Sequence, residues 1–314
     1  MTLATVRNRL ALFFGALPRW SAIALHDVQD EIGVNLRHGG ATIDVTRNNE
    51  IAGLIPLALA IGLELDPSPE PSVLSFHDKR DGRTLGALTL KQVAHEADTP
   101  AGVTFFEVTA GHHSCLGWAG NRFDDWFRRE DLRASKNPHN FAMAWQATKW
   151  AAIFYLCPRA VYLVSAEHGE RGNIFPMDQV GRMRGEGEVS LSLRNTNPSV
   201  ATIRDSRRVV LSSIAASRKE DAYQLGQRHK VERLEPGELP FELALSPTFG
   251  MRHPVNAVRV RELEVVEVKV MGSHTFFIGQ AVTDRRLSDE PQLFHTPGFH
   301  QRYRTRRGHP FPRA

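Results

Sequence analysis

The sequence predicts a mainly β fold with a few helices. Three features carry that expectation: apolar–polar alternation in Val189-Ser190-Leu191-Ser192-Leu193 and from Ala257 to Val270, short apolar runs such as Ile55 to Ile61, and Gly- or Pro-containing turns between them. Alternation with period two marks a strand with one buried face, whereas an amphipathic helix repeats every ~3.6 residues. Two long stretches read as helices instead. Arg122 to Glu130 places Phe123, Trp126 and Phe127 on one face, and Phe141 to Leu156 is rich in helix formers and stops at Cys157-Pro158, because the residue before proline is driven out of helical geometry.

At 314 residues the chain is about two typical domains long. With 41% hydrophobic and 24% charged residues it has the composition of a globular protein, not a disordered one. The net charge of +4 is small, and much of the excess lies in Arg302-Tyr303-Arg304-Thr305-Arg306-Arg307. Terminal charge runs are ordinarily solvated ends, so no nucleic-acid partner is expected. No apolar run reaches the roughly 18 residues a membrane span needs, and the first 20 residues read as a helix or anchor strand because a short apolar core without a cleavage site is a poor signal peptide. Cys115 and Cys157 are too few for a disulfide framework or a four-cysteine zinc site, which favours a reducing, cytoplasmic home.

From Ser21 to Val93 the pattern is of short strands broken by turns. Gly33 to His38 ends at Gly39-Gly40, Ala41 to Val45 alternates, and Ile55 to Ile61 reads as a buried strand. Asp66-Pro67-Ser68-Pro69-Glu70-Pro71 is a loop, since three prolines deny both helix and ladder hydrogen bonds. Val73 to Phe76 and Thr84 to Leu88 form a hairpin, and Val103 to Val108 is a further strand. Gly111-His112-His113-Ser114-Cys115 holds metal-ligating residue types, but adjacent histidines share no strand face, so it reads as a polar turn. The domain boundary is expected between Ser135 and Cys157, giving a β-rich N-terminal domain over 1–145 and a second domain over 146–314. No internal repeat or low-complexity segment emerges from the sequence.

The second domain is organised around Val161 to Ser213. An apolar strand, a polar turn over Glu167 to Gly172 and a loop lead to the alternating strand Val189 to Leu193, followed by Arg194-Asn195-Thr196-Asn197-Pro198-Ser199 and the amphipathic run Val200 to Ser206. Asn197 before Pro198 is a helix-start pattern with Asn197 as N-cap. The unpaired N–H groups there, beside Arg194 and the hydroxyls of Thr196 and Ser199, suit a single phosphate, although a plain capped helix reads the same way. Asp221 to His229 is a short surface helix. Ala257 to Val270 turns at Met271-Gly272-Ser273-His274 and returns as Thr275 to Val282, a long hairpin of the kind that closes a small barrel.

Gly172-Asn173-Ile174-Phe175-Pro176, the V-S-L-S-L-R strand and the helix ending at Ile203 and Ser206 together resemble the flavin reductase family with the FMN-binding split-barrel fold. Glu262 to Val282, with its G-x-H turn, and Gln292-Leu293-Phe294-His295 with Gly298 and Tyr303, resembling the family's last strand, extend that likeness over the C-terminal half. The resemblance implies an FMN-binding split β-barrel preceded by a smaller β-rich domain. It implies FMN, or FAD, as cofactor, NAD(P)H as a transient reductant, a homodimer, and free flavin, oxygen or a partner oxygenase as acceptor. It places phosphate contacts on Arg194, Thr196 and Ser199 with Ser192 and Asn195 beside them, and the flavin edge along Asn173, Phe175, Pro176, Met177 and Asp178. His274 would meet the nicotinamide. Two departures stand out: Arg182 to Gly187 replaces the family's Ser and Pro pair, and Ser273 replaces an Asp. Two other functions remain open, a non-catalytic flavin-binding or regulatory module and an FMN-dependent oxidase or oxygenase. The chain has no G-x-G-x-x-G, G-x-x-x-x-G-K-[ST], G-x-S-x-G or H-E-x-x-H motif, so a resident Rossmann domain or P-loop is not expected.

Overall fold

The computed structural model describes residues 17–93, 99–134, 143–226, 237 and 239–314. The expected N-terminal helix or anchor lies mostly outside these residues, as do the start of the 141–156 helix and the end of the 221–229 helix. The chain opens with β1 (Trp20–Leu25) and then builds a seven-stranded antiparallel sheet: β2 (Ile32–His38), β3 (Ala41–Asp44), β4 (Asn49–Leu54), β5 (Leu57–Ile61), β6 (Ser72–Asp78), β7 (Thr84–Gln92) and β8 (Thr104–His113). Helices α1 (Trp118–Ala134) and α2 (Trp145–Phe154) and the short β9 (Arg159–Ala160) follow.

A second seven-stranded antiparallel sheet begins at β10 (Tyr162–His168), β11 (Arg171–Met177), β12 (Val180–Arg182) and β13 (Glu188–Arg194). It continues through α3 (Ser199–Ser206), β14 (Arg208–Ser213), α4 (Lys219–Gly226) and the small hairpin β15 (Leu243–Leu245) and β16 (Arg252–Pro254). The long hairpin β17 (Arg259–Met271) and β18 (His274–Arg286) completes it, and β19 (Gln292–Pro297) and α5 (Gly298–Arg306) end the chain. The mainly β expectation holds, and most strands fall where alternation places them. The turn of the first C-terminal hairpin is shorter than expected, confined to Gly169 and Glu170, because His168 already pairs with Arg171.

The two sheets share one topology. Their strand orders are β3-β2-β6-β7-β8-β5-β4 and β11-β10-β14-β17-β18-β13-β12, which match strand for strand. The match extends to residues. His38 and His168 each close the first hairpin across a two-residue turn. Leu59 and Ala60 pair with Phe106 and Phe105 on β8, just as Leu191 and Ser192 pair with Phe277 and Phe276 on β18. The sequence hides this repeat because little more than Thr-Phe-Phe and the alternation survive in common. One difference matters for function. Between β13 and β14 lies α3, whereas between β5 and β6 lies the Pro-rich loop 62–71.

Each sheet curls around its own apolar cluster, one built on Val34, Phe76 and Phe106 and the other on Val164, Leu191 and Phe277. A third cluster joins them. Ala52, Ala58, Ala60 and Phe105 from the first copy meet Met183, Phe276 and Ile278 from the second, with the Phe105 and Phe276 rings edge to face at 5.5 Å. Alanines on β4 and β5 keep that surface flat enough for close approach.

Three sequence expectations change. Gly111 to His113 is not a polar turn but the end of β8, because Gly86, Ala87 and Leu88 on β7 pair with it. There His113 is buried and stacks on Phe299 at 4.1 Å. The basic tail is solvated only in part, with Arg306 and Arg307 exposed and Arg304 buried, and Tyr303 lies on a helix, not on a final strand. Arg304 on α5 is 1% exposed, sits 4.0 Å over the Phe311 ring and pairs with Glu31 at 2.6 Å, tying the end of the chain to the N-terminal copy.

Gly62 tests the junction. A Cβ there would lie 2.5 Å from the Met183 carbonyl oxygen, and backbone cannot swing aside as a flexible side chain can. Gly62→Ala is expected to cost about 1–3 kcal/mol in chemical denaturation, while Gly117→Ala, with open space around it, should change little.

Candidate functional site

The register of β13 on β18 sets Arg194 opposite His274 and Leu193 opposite Thr275. Beyond Arg194 the chain is clamped to the β17–β18 turn by Asn195. Its N–H donates to the Ser273 carbonyl at 3.0 Å, its Nδ2 donates to the Gly272 carbonyl at 2.9 Å, and its Oδ1 accepts from the Thr275 hydroxyl at 2.9 Å. Gly272 is required in that turn: its φ is +55°, and a Cβ would collide with the Ile55 carbonyl oxygen. Ser273 is held from the other side by the N-terminal copy. It donates its N–H to the Ile55 carbonyl at 3.0 Å, accepts from the Ile55 N–H at 3.1 Å, and its hydroxyl lies 2.9 Å from His274 Nδ1.

Burial, helped by the charge of Arg194, pushes the His274 imidazole down to about 4. It is therefore neutral near pH 7. Burial also lowers the pKa of Arg194, so an anion beside it would restore part of what desolvation costs.

At the start of α3, the Asn197 side chain accepts from the Ser199 N–H at 2.9 Å, so the expected N-cap is present. Pro198 has helical dihedrals but precedes the first assigned helical residue, Ser199, a one-residue difference. Asn197 takes the Ser199 and Val200 N–H groups, so of the expected phosphate contacts the half-buried Arg194 and the exposed Thr196 are the ones left at the surface. Ser199 is buried next to them. Ser192 is buried too and gives its hydroxyl to the Ala52 carbonyl at 2.8 Å, where it joins the two copies.

The stretch expected as a flavin-edge loop is an edge strand, β11. Alternation divides it: Phe175 and Met177 belong to the cluster inside the C-terminal sheet, Asn173 shares their parity and is buried, and Pro176 falls on the other parity. Because β11 has only one neighbour in its sheet, alternate N–H and C=O groups face away from β10. Asp178 lies past the strand end and pairs with His295 Nδ1 at 2.9 Å. Burial alone would raise the Asp178 carboxyl, but His295 and the Tyr155 hydroxyl more than offset it and hold it below the usual range.

Sequence reasoning missed a buried polar group around Asp178. Glu50 on β4 is fully buried, its Oε1 accepts from the Ile51 N–H at 2.8 Å, and its Oε2 lies 3.5 Å from Arg159. Arg159 spends its fork on the Asn49 carbonyl and side chain, so burial wins and pushes Glu50 up to about 7. His295 stacks on Tyr223, with their ring centres 5.9 Å apart. The available signal was Glu50 directly before the run Ile51-Ala52-Gly53-Leu54, which carries no polar side chain. Among the described residues, no group of three or more His, Cys, Asp or Glu is placed to hold a metal ion.

A separate cavity of about 170 Å³ opens where the copies meet, lined by Arg47, Arg159, Arg182, Arg259, Arg261 and Tyr162 among others. Arg259 and Arg261 share one carboxylate, Asp284, and Arg47 faces Asp27 at 3.6 Å. Burial first, then the charges of Arg261, Arg47 and Arg259, lower the pKa of Arg182. The cavity therefore carries a positive field.

No family model matches this chain, and no curated protein matches it. Several solved structures resemble part of it. An NADH:FAD oxidoreductase of Streptomyces globisporus is 14% identical, with 52% of this chain and 95% of that one covered at a TM-score of 0.44. An FMN-binding protein from Thermus thermophilus is 22% identical over 41% of this chain and 72% of its own, at 0.37. A flavoredoxin from Methanosarcina acetivorans is 15% identical over 41% and 69%, also at 0.37. No helix among the described residues is long and apolar enough to cross a membrane.

Two measurements check the electrostatics. Glu50 has a raised folded pKa, so its stabilising effect is complete below the ordinary 4.5 and is lost as pH rises through about 7. Wild type should lose on the order of 1–3 kcal/mol across that window, and Glu50→Gln should flatten the loss in denaturation curves. Arg182→Ala should raise Tm by about 1–3 °C in low salt, with the gap closing as salt is added.

Proposed function

We propose that this protein is a flavin reductase-like oxidoreductase whose C-terminal copy binds FMN, or FAD, and accepts a hydride from NADH or NADPH. The supporting observation is the pairing of β13 with β18, which brings the two separated sequence motifs together as Arg194 beside His274, next to the start of α3. Arg194, with Thr196, holds the phosphate, which is close to doubly charged near neutral pH. The open edge of β11 offers main-chain groups to the ring. When bound, the flavin supplies the hydride chemistry, and the protein contributes position and exclusion of water.

His274 is neutral and acts by shape and hydrogen bonding, not by proton transfer. Its position at the β17–β18 turn marks where a nicotinamide docks. The acceptor is free flavin, oxygen or a partner oxygenase. Two buried free cysteines, Cys115 and Cys157, suit a reducing cytoplasm. One observation favours a second reading, a flavin-binding module without turnover: His274 is only 1% exposed, with the Ile55 turn packed on its neighbour Ser273.

The purified protein is expected to show flavin absorption bands that bleach on anaerobic addition of NADH or NADPH. Bands that persist with both nucleotides would favour the binding module. Arg194→Ala should weaken FMN at least about tenfold and leave riboflavin, which lacks the phosphate, nearly unchanged. Equal losses for both would eliminate the phosphate role.

A further inference from the structure

We propose that the N-terminal half is a second split barrel acting as an in-chain partner. The protein then works as a single chain, with one flavin phosphate site on the C-terminal copy, and the dimer contact expected from the sequence is met internally. The site part of this rests on the flavin reading above; the pairing part does not.

The matching strand orders establish two copies of one topology. How they meet points to a paired assembly. In a two-fold interface the same surface is used by both partners, so equivalent residues near the axis touch each other. Phe105 and Phe276 are equivalent by register, each facing the corresponding residue of β5 or β13, and their rings meet at 5.5 Å. Gly53 and Gly181 are equivalent too, facing Ala58 and Ser190. Both lie where the other copy presses close: a Cβ on Gly53 would be 2.5 Å from the Met271 carbonyl oxygen, and one on Gly181 would be 2.8 Å from Glu50 Oε2. The surface a lone barrel would offer to a second molecule is thus already covered.

The copies have diverged in opposite directions. The C-terminal copy keeps α3 and Arg194. At the matching point of the N-terminal copy, the residue after Ile61 is Gly62, packed on Met183, and the helix is replaced by the Pro-rich loop 62–71. A phosphate there would find no counterpart of Arg194 and no helix start, and the lysine that lines the cavity beside this loop, Lys269, belongs to the C-terminal copy. In exchange, the N-terminal copy supplies the Ile55 turn that holds Ser273 beside His274. The site is built by two unlike barrels, and only one of them retains a cradle.

Native mass spectrometry and light scattering on the full-length protein at micromolar concentration, paired with an FMN titration, test this. The expected result is the mass of one chain, one FMN at saturation, and loss of FMN but not riboflavin binding in Arg194→Ala. A stable dimer would overturn the single-chain claim and direct attention to exposed Trp118 and Trp126 on α1. Two FMN per chain would overturn the single-site claim. A single-chain mass with no FMN uptake would sink the flavin reading while upholding the pairing.

Discussion

Strands β4 and β12 end their sheets, and β4 is buried from Asn49 to Gly53, so neither edge can stand alone in water. Each copy covers the other's edge. The contact is apolar at its centre, where Ala52, Ala58 and Ala60 allow the Phe105 and Phe276 rings to interlock, and polar at its margin, where Ser192 bonds to Ala52 and Arg159 to Asn49. The positions of Ser273 and His274, the burial of Glu50 and the basic cavity all follow from this contact.

The strands could be read from the sequence because apolar–polar alternation survives in β13 and β17, even though the serines of β13 are buried as well. The helix start at Asn197 was also recoverable, since a capping side chain followed by proline is a local signal. What escaped was long-range. The repeat is invisible because two sheets of one topology need matching patterns, not matching residues, and Gly62 can stand at the place of Arg194 without affecting the strand. Arg304 looked solvated because its ion-pair partner, Glu31, is near the other end of the chain.

The candidate site divides in the same way. Arg194 and His274 were recognisable as separate motifs, and the sheet register joins them. The side chains of Asn195, Ser192 and Asn197 turned out to brace the site, each bonded to backbone. Residue type alone could not distinguish bracing from ligand contact, since an amide or hydroxyl serves both. Along β11, period-two alternation sent Phe175 and Met177 inward, leaving the backbone to face outward.

Strand β19 lies between β1 and β9, with Trp20 opposite Pro297 and Leu25 opposite Gln292. On the ribosome, β1 emerges first and must wait for nearly the whole chain before its partner exists. Both seven-stranded sheets are complete in sequence before β19 is made, so the β1–β19 pairing closes after them. Until then β1 is an apolar strand with open edges, and chaperone binding or aggregation would act on it in that interval.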